Sequence, residues 1–180
     1  MNPVVRVLVQ RAESRRHSLL DLVRVVPDEY LGRTAAGDAW CARDHVIHAL
    51  AVDDPMARLF FAVASTPTVS ELSSAMSRLA DARAEAIRER QHLTVEALVA
   101  TAEASRRLLV EALAELAPDH LDVLIPIPGA RTAWGEPLGL TVFQYLEQWA
   151  NHDSVHEESV RMAVATKPDL STVALTQRRR

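Results

Sequence analysis

An all-α bundle is the fold this sequence predicts, and three observations carry that reading. Apolar residues recur at helical spacing in several long segments, short connectors marked by proline or glycine separate them, and no segment alternates as a half-buried strand would. With 48% apolar residues in 180, the chain can bury one continuous core, and no internal repeat or low-complexity stretch interrupts it. The expected organisation is a single helical domain over residues 1–166 and a C-terminal tail over 167–180.

Asn2 and Pro3 supply an N-cap and a first-turn proline for a helix to about Val26, where Pro27 stops it; its apolar face holds Val5, Leu8, Ala12, Leu19, Leu22 and Val26. A polar connector from Asp28 to Asp38 follows, with Gly32 and Gly37. The next helix runs from about Ala42 through Ala64, with Pro55 marking a kink or restart and Asp54 a candidate cap for its second half. After the break Thr66-Pro-Thr-Val-Ser70, a charged, alanine-rich segment reads as a surface helix. Thr94 caps a further helix to about Ala117, closed by Pro118. Residues 121–139, rich in proline and glycine, read as one long irregular loop with room for a short hairpin, and loops of that length tend to be functional. Thr141 and Gln144 form a capping box for a final helix to about Thr166.

A formal net charge of −4 and few aromatic residues argue against a nucleic-acid partner. The basic pairs Arg15-Arg16 and Arg106-Arg107 read as solvated helix faces, and Arg178-Arg179-Arg180 as a basic tail. Lys167 is the single lysine, a compositional bias with no mechanistic meaning. The lone Cys41 excludes an internal disulfide or a Cys-x-x-Cys metal knuckle, so a reducing cytoplasmic setting is the expectation. Arg6 interrupts the first apolar run, which is too short for a signal peptide, and no later stretch could span a bilayer.

The chemistry lies among seven histidines. His152 and His156 are one helical turn apart on a stripe with Tyr145, Trp149, Val160 and Ala163, so both imidazoles face inward. Buried imidazoles need partners: a carbonyl or carboxylate in the core, or a shared cation. A cation needs a third ligand from another helix, which His45 or His48 could supply. Three imidazoles leave coordination positions open for water or substrate, the arrangement of a catalytic rather than a structural metal site. His17, His92 and His120 read as surface or cap residues.

The long first helix, the Trp-x7-His element Trp40-Cys-Ala-Arg-Asp-His-Val-Ile-His48, a further bundle helix and the final Asn151-His-Asp-Ser-Val-His-Glu-Glu-Ser-Val160 together resemble the DinB/YfiT-like superfamily of bacterial metal-binding four-helix bundles. The resemblance covers most of the chain, although its motifs are short. It implies an up-down-down-up four-helix bundle, here with an extra surface helix and one long loop before the last helix, often paired as a homodimer. It also implies a divalent metal, zinc or nickel, bound by His48, His152 and His156 at the mouth of the core. His45 and Asp153 become candidate supporting residues around those ligands, and Arg131 and Trp134, on the long loop, candidate borders of a substrate pocket.

Relatives in that superfamily include transferases and isomerases that use low-molecular-weight thiols such as mycothiol or bacillithiol. The expected activity is metal-dependent thiol transfer to an electrophile, with no membrane partner; the alternative is a non-catalytic, stress-related binding bundle whose metal is structural or absent. The branch that isomerises maleylpyruvate carries a His-Glu-His triad, and His152 stands where its glutamate would be, so that activity is not expected. Cys41, after the tryptophan where relatives place Ser or Thr, fits a helix cap. No side chain is singled out as catalytic.

Two other metal readings are weaker. His152-Asp-Ser-Val-His156 imitates the zincin His-Glu-x-x-His, but aspartate is shorter than the required base and no helical third ligand follows. Glu89-x-x-His92 and Asp153-x-x-His156 suggest a di-iron bundle, which needs buried carboxylates, whereas Glu89 lies on a polar face.

Overall fold

A computed structural model describes residues 1–65 and 68–165. Helix α1 spans Pro3–Val25; the Asn2 side chain accepts the Val4 N–H at 2.8 Å and Pro3 occupies the first turn. The connector beyond it holds a short helix, α2 (Asp28–Leu31), whose Leu31 is buried. The run expected to kink or restart at Pro55 restarts at Val52, giving two helices, α3 (Ala42–Ala51) and α4 (Asp53–Ala64). Pro55 falls in the first turn of α4, where its missing N–H breaks no helical bond. Asp54 is therefore not the cap, and pairs with Arg58 at 2.9 Å.

Helix α5 (Val69–Arg90) begins at a capping box between Thr68 and Glu71 and turns Leu72, Met76, Leu79 and Ala86 inward. Helix α6 (Val95–Ala114) is capped by Thr94, and a 3-10 turn covers Pro118–Asp122. Helix α7 (Val142–Ala165) starts at the Thr141–Gln144 box, each residue's side chain accepting the other's backbone N–H. Thr66, Pro67, Thr166 and the tail at 167–180 lie outside the described residues.

The segment expected as a long irregular loop with room for a short hairpin is a β-hairpin over most of its length. Strand β1 (Leu124–Arg131) pairs antiparallel with β2 (Pro137–Thr141), Ile125 opposite Leu140 and Pro126 opposite Gly139, with a register shift before Arg131 meets Pro137. Proline is tolerated because both strands of an isolated hairpin are edges. Gly139 is required by close approach: a Cβ there would collide with the backbone carbonyl of Ile125. Ile125 itself is fully buried, pinning the hairpin to the bundle.

Helix α1 packs along α7, α4 along α6, and α3 bridges α6 and α7, while α5 covers α3, α4 and β1. The core has two apolar clusters. One holds Val5, Leu8, Phe60, Leu113, Ile125 and Leu146; the other holds Leu19, Val23, Ile47, Leu98, Val160 and Ala163. Helices α1 and α7 run from the first cluster to the second, whereas α3–α4 and α6 run the other way. Each passes through a polar layer between them: Arg16 on α1, Asp53 on α4, Arg106 on α6 and Asp153 on α7.

Gly139→Ala should destabilise the fold by about 1–3 kcal/mol through backbone overlap. Gly32→Ala, at a site with nothing within 4 Å of the added carbon, should stay within about 0.5 kcal/mol of the parent. Urea unfolding of the two variants checks the contrast.

Candidate metal centre

Helix α7 presents His152 and His156 one turn apart, and α3 brings His48 across from them. The Nε2 atoms of His152 and His48 are 3.1 Å apart, and those of His156 and His152 3.2 Å. Ligand atoms of all three residues lie within 4.8 Å of one another. Two imidazoles sharing an ion at about 2.0–2.1 Å, at angles of roughly 90–110°, stand about 2.9–3.4 Å apart, so the spacing fits a common cation. His48 and His156 are buried, and His152 is partly open. Burial, then the charges that His152, His48 and His45 would carry, push His156 down to about 3. A neutral ring at pH 7 keeps the lone pair a metal needs.

Trp40 closes one side of the cluster, its ring 4.9 Å from that of His48 and stacked at 6.2 Å on that of His156. His45 does not join the Nε2 cluster; its Nδ1 lies 3.1 Å from Nδ1 of His156 and its Nε2 2.9 Å from Asp38 Oδ2. Cys41 is the N-cap of α3, and its thiol donates to Asp44 Oδ2 at 3.1 Å. Burial, then that hydrogen bond, raises the thiol pKa, which suits a cap and not a nucleophile.

Beneath the histidines, the expectation that both arginine pairs are solvated fails. Arg16 and Arg106 are 6% and 8% exposed, and between them lie Asp53 at 0% and Asp153 at 3%. Arg16 donates to Asp153 at 2.7 Å and to Asp53 at 3.3 Å; Arg106 donates to Asp53 at 2.8 Å and to Asp153 at 3.4 Å. The Trp149 indole N–H completes Asp53 at 3.1 Å. Asp153 also meets Nδ1 of His152 at 3.8 Å, so its supporting contact to the cluster is secondary to its two arginines. This geometry leaves it no role as a zincin-type base.

The structure does not bring Arg131 and Trp134 to the histidines. Arg131 donates to the Gly135 carbonyl within its own hairpin at 2.7 Å, and Trp134 is 85% exposed. The hairpin instead reaches the site through Leu140, which lines an open cleft with Asn151, His152 and Val155. On another side His152 borders a cavity of about 170 Å³ walled by Val52, Met56, Tyr145, Gln148 and Trp149. Glu89 and His92 are exposed, as the di-iron reading does not allow. His17 bonds the Glu13 carbonyl on the surface, and His120 accepts the Ala117 N–H as a cap. Among the described residues, no helix is long and apolar enough to cross a membrane.

Sequence reasoning missed Asp38, Arg16, Asp53 and Arg106. The last three had a signal: each occupies a core position of its own helix's apolar stripe.

No protein-family model matches the chain, and no curated protein matches it either. A solved structure described as TT2238, a four-helix bundle protein, superposes with a TM-score of 0.56 at 21% identity, over 87% of this chain and 98% of that one. At that identity the likeness shows the bundle fold alone.

Asp153→Asn should cost about 3–5 kcal/mol at pH 7, because it leaves two buried arginines facing one carboxylate. Burial alone would raise the Asp153 carboxyl, but His152, Arg16 and Arg106 outweigh it and hold it at about 2, below the ordinary 3.8. A depressed folded pKa stabilises fully above the unfolded value and loses that contribution as pH falls through the folded one. The stability difference between parent and variant should therefore shrink as pH falls from about 4 towards 2. Chemical denaturation across that range measures it, and a difference independent of pH would contradict the assignment.

Proposed function

We propose that the protein is a divalent-metal-binding helical bundle whose ion is held by His48, His152 and His156 and serves thiol transfer. The observation that carries the metal site is the pair of Nε2 separations, 3.1 and 3.2 Å, which suit one ion. An all-imidazole donor set favours zinc or nickel over hard cations. The chain directions support the up-down-down-up order of DinB/YfiT-like bundles; a low-molecular-weight thiol such as mycothiol or bacillithiol as co-substrate rests on the sequence resemblance to that superfamily.

A divalent ion bound there supplies Lewis acidity that lowers the pKa of a thiol placed beside it. The protein's own part is positional. His152 stands between the open cleft and the smaller cavity, so a thiol entering by the cleft meets the cluster beside an apolar wall of Val52, Met56 and Trp149 that suits a small electrophile. Arg131 and Trp134 have no place in that arrangement. A homodimer in a reducing cytoplasm belongs to the same proposal.

The second reading, a binding bundle without catalysis, is favoured by one observation: the 170 Å³ cavity offers only Tyr145 and Gln148 as polar side chains besides His152. Metal analysis and a thiol panel separate the two. Purified protein should carry zinc or nickel near stoichiometry, and His152→Ala should lose it. Metal-loaded protein incubated with mycothiol, bacillithiol or glutathione and a generic electrophile should consume thiol, and the variant should not. If thiol is untouched while zinc at a hundredfold excess over its Kd raises stability by about 2.7 kcal/mol, the binding reading holds. If neither metal nor thiol interacts, the thiol-transfer reading fails and only a binding bundle without metal is left.

A further inference from the structure

We infer that Asp38 and His45 form a positioning pair that decides which nitrogen of His156 carries its proton, leaving His156 Nε2 bare and facing Nε2 of His152. The inference rests on the metal-binding reading above and extends it one layer outwards.

The connector before α3 is built to hold Asp38 still. Gly37 turns at φ 80, the Asp38 N–H bonds the Ala35 carbonyl at 3.1 Å, and Thr34 bridges to Cys41. Asp38 Oδ1 accepts the Trp40 N–H at 3.0 Å, which leaves Oδ2 for His45 at 2.9 Å. The Trp40 N–H first, and His45 second, lower the Asp38 carboxyl below its ordinary value. An ionised carboxylate only accepts, so His45 Nε2 must carry a hydrogen.

In a neutral imidazole the second nitrogen is then an acceptor. His45 Nδ1 faces His156 Nδ1 at 3.1 Å. Two lone pairs do not face each other at that distance, so His156 Nδ1 supplies the hydrogen. Its Nε2 is left as the lone-pair atom, 3.2 Å from Nε2 of His152, which supplies the hydrogen between them in the metal-free protein. The order runs carboxylate, imidazole, imidazole, vacant lone pair. Partners of this kind orient a ligand and raise its basicity, and losing one typically weakens metal binding about 10–100-fold.

Nitrogen-15 spectra of the metal-free wild type read the tautomer directly. The inference expects His156 protonated at Nδ1; a proton on Nε2, the outcome if a cationic His45 donates the other way, overturns it. Calorimetric titration with Zn²⁺ alone then compares wild type, His45→Phe and His45→Asn. Phenylalanine keeps the ring but removes the acceptor, and Zn²⁺ affinity should fall about 10–100-fold. Asparagine returns an oxygen near the place of Nδ1 and should recover much of that loss. Phenylalanine binding as tightly as wild type, or asparagine no better than phenylalanine at equal metal-free thermal stability, contradicts the inference. A wild type that binds no Zn²⁺ defeats the metal reading instead, and the tautomer still decides this one.

Discussion

Asp53 and Asp153 each accept from both Arg16 and Arg106, which closes a neutral square of charges contributed by four different helices. Removing any one corner leaves an uncompensated buried charge. The square also sets rotation. Successive residues on a helix differ by about 100° around its axis, so fixing Asp153 against two arginines fixes the direction of His152 next to it. Arg16 also donates to the Ala49 carbonyl of α3 at 3.0 Å, so the same constraint reaches the helix that carries His48.

The same layer explains why the core is split. Helices α1, α6 and α7 carry apolar residues on both sides of their charged members, α3 and α4 do so together about Asp53, and the two apolar clusters meet the polar layer from opposite sides. Histidines occupy the edge of this layer where α3 faces α7, with Trp40 over them. His152 is partly open while His48 and His156 stay buried.

The bundle was legible because long 3.6-residue stripes and their caps are local properties: Asn2, Thr94 and the Thr141–Gln144 pair mark helix starts where they were expected. His48, His152 and His156 were legible as a group through the spacing of one helix and the resemblance of the other. The hairpin was legible only as room within a long loop, since its prolines mask alternation and its pairing is set by Gly139 against Ile125, a contact between strands. The charge square was hidden for a different reason. Arg16 and Arg106 each sit beside a second arginine, and a basic pair reads as solvent-facing unless the stripe position of one member is followed. Asp38 was invisible because its role depends on a turn that brings the connector back to α3.

X-ray absorption on the zinc-loaded wild-type protein tests the central claim most directly, because it reads the donors around the ion without relying on activity. Three imidazole nitrogens at about 2.0–2.1 Å, with the remaining shell made of light exogenous atoms, is the predicted result. A shell containing sulfur from Cys41, or one with fewer than three imidazoles, would contradict it.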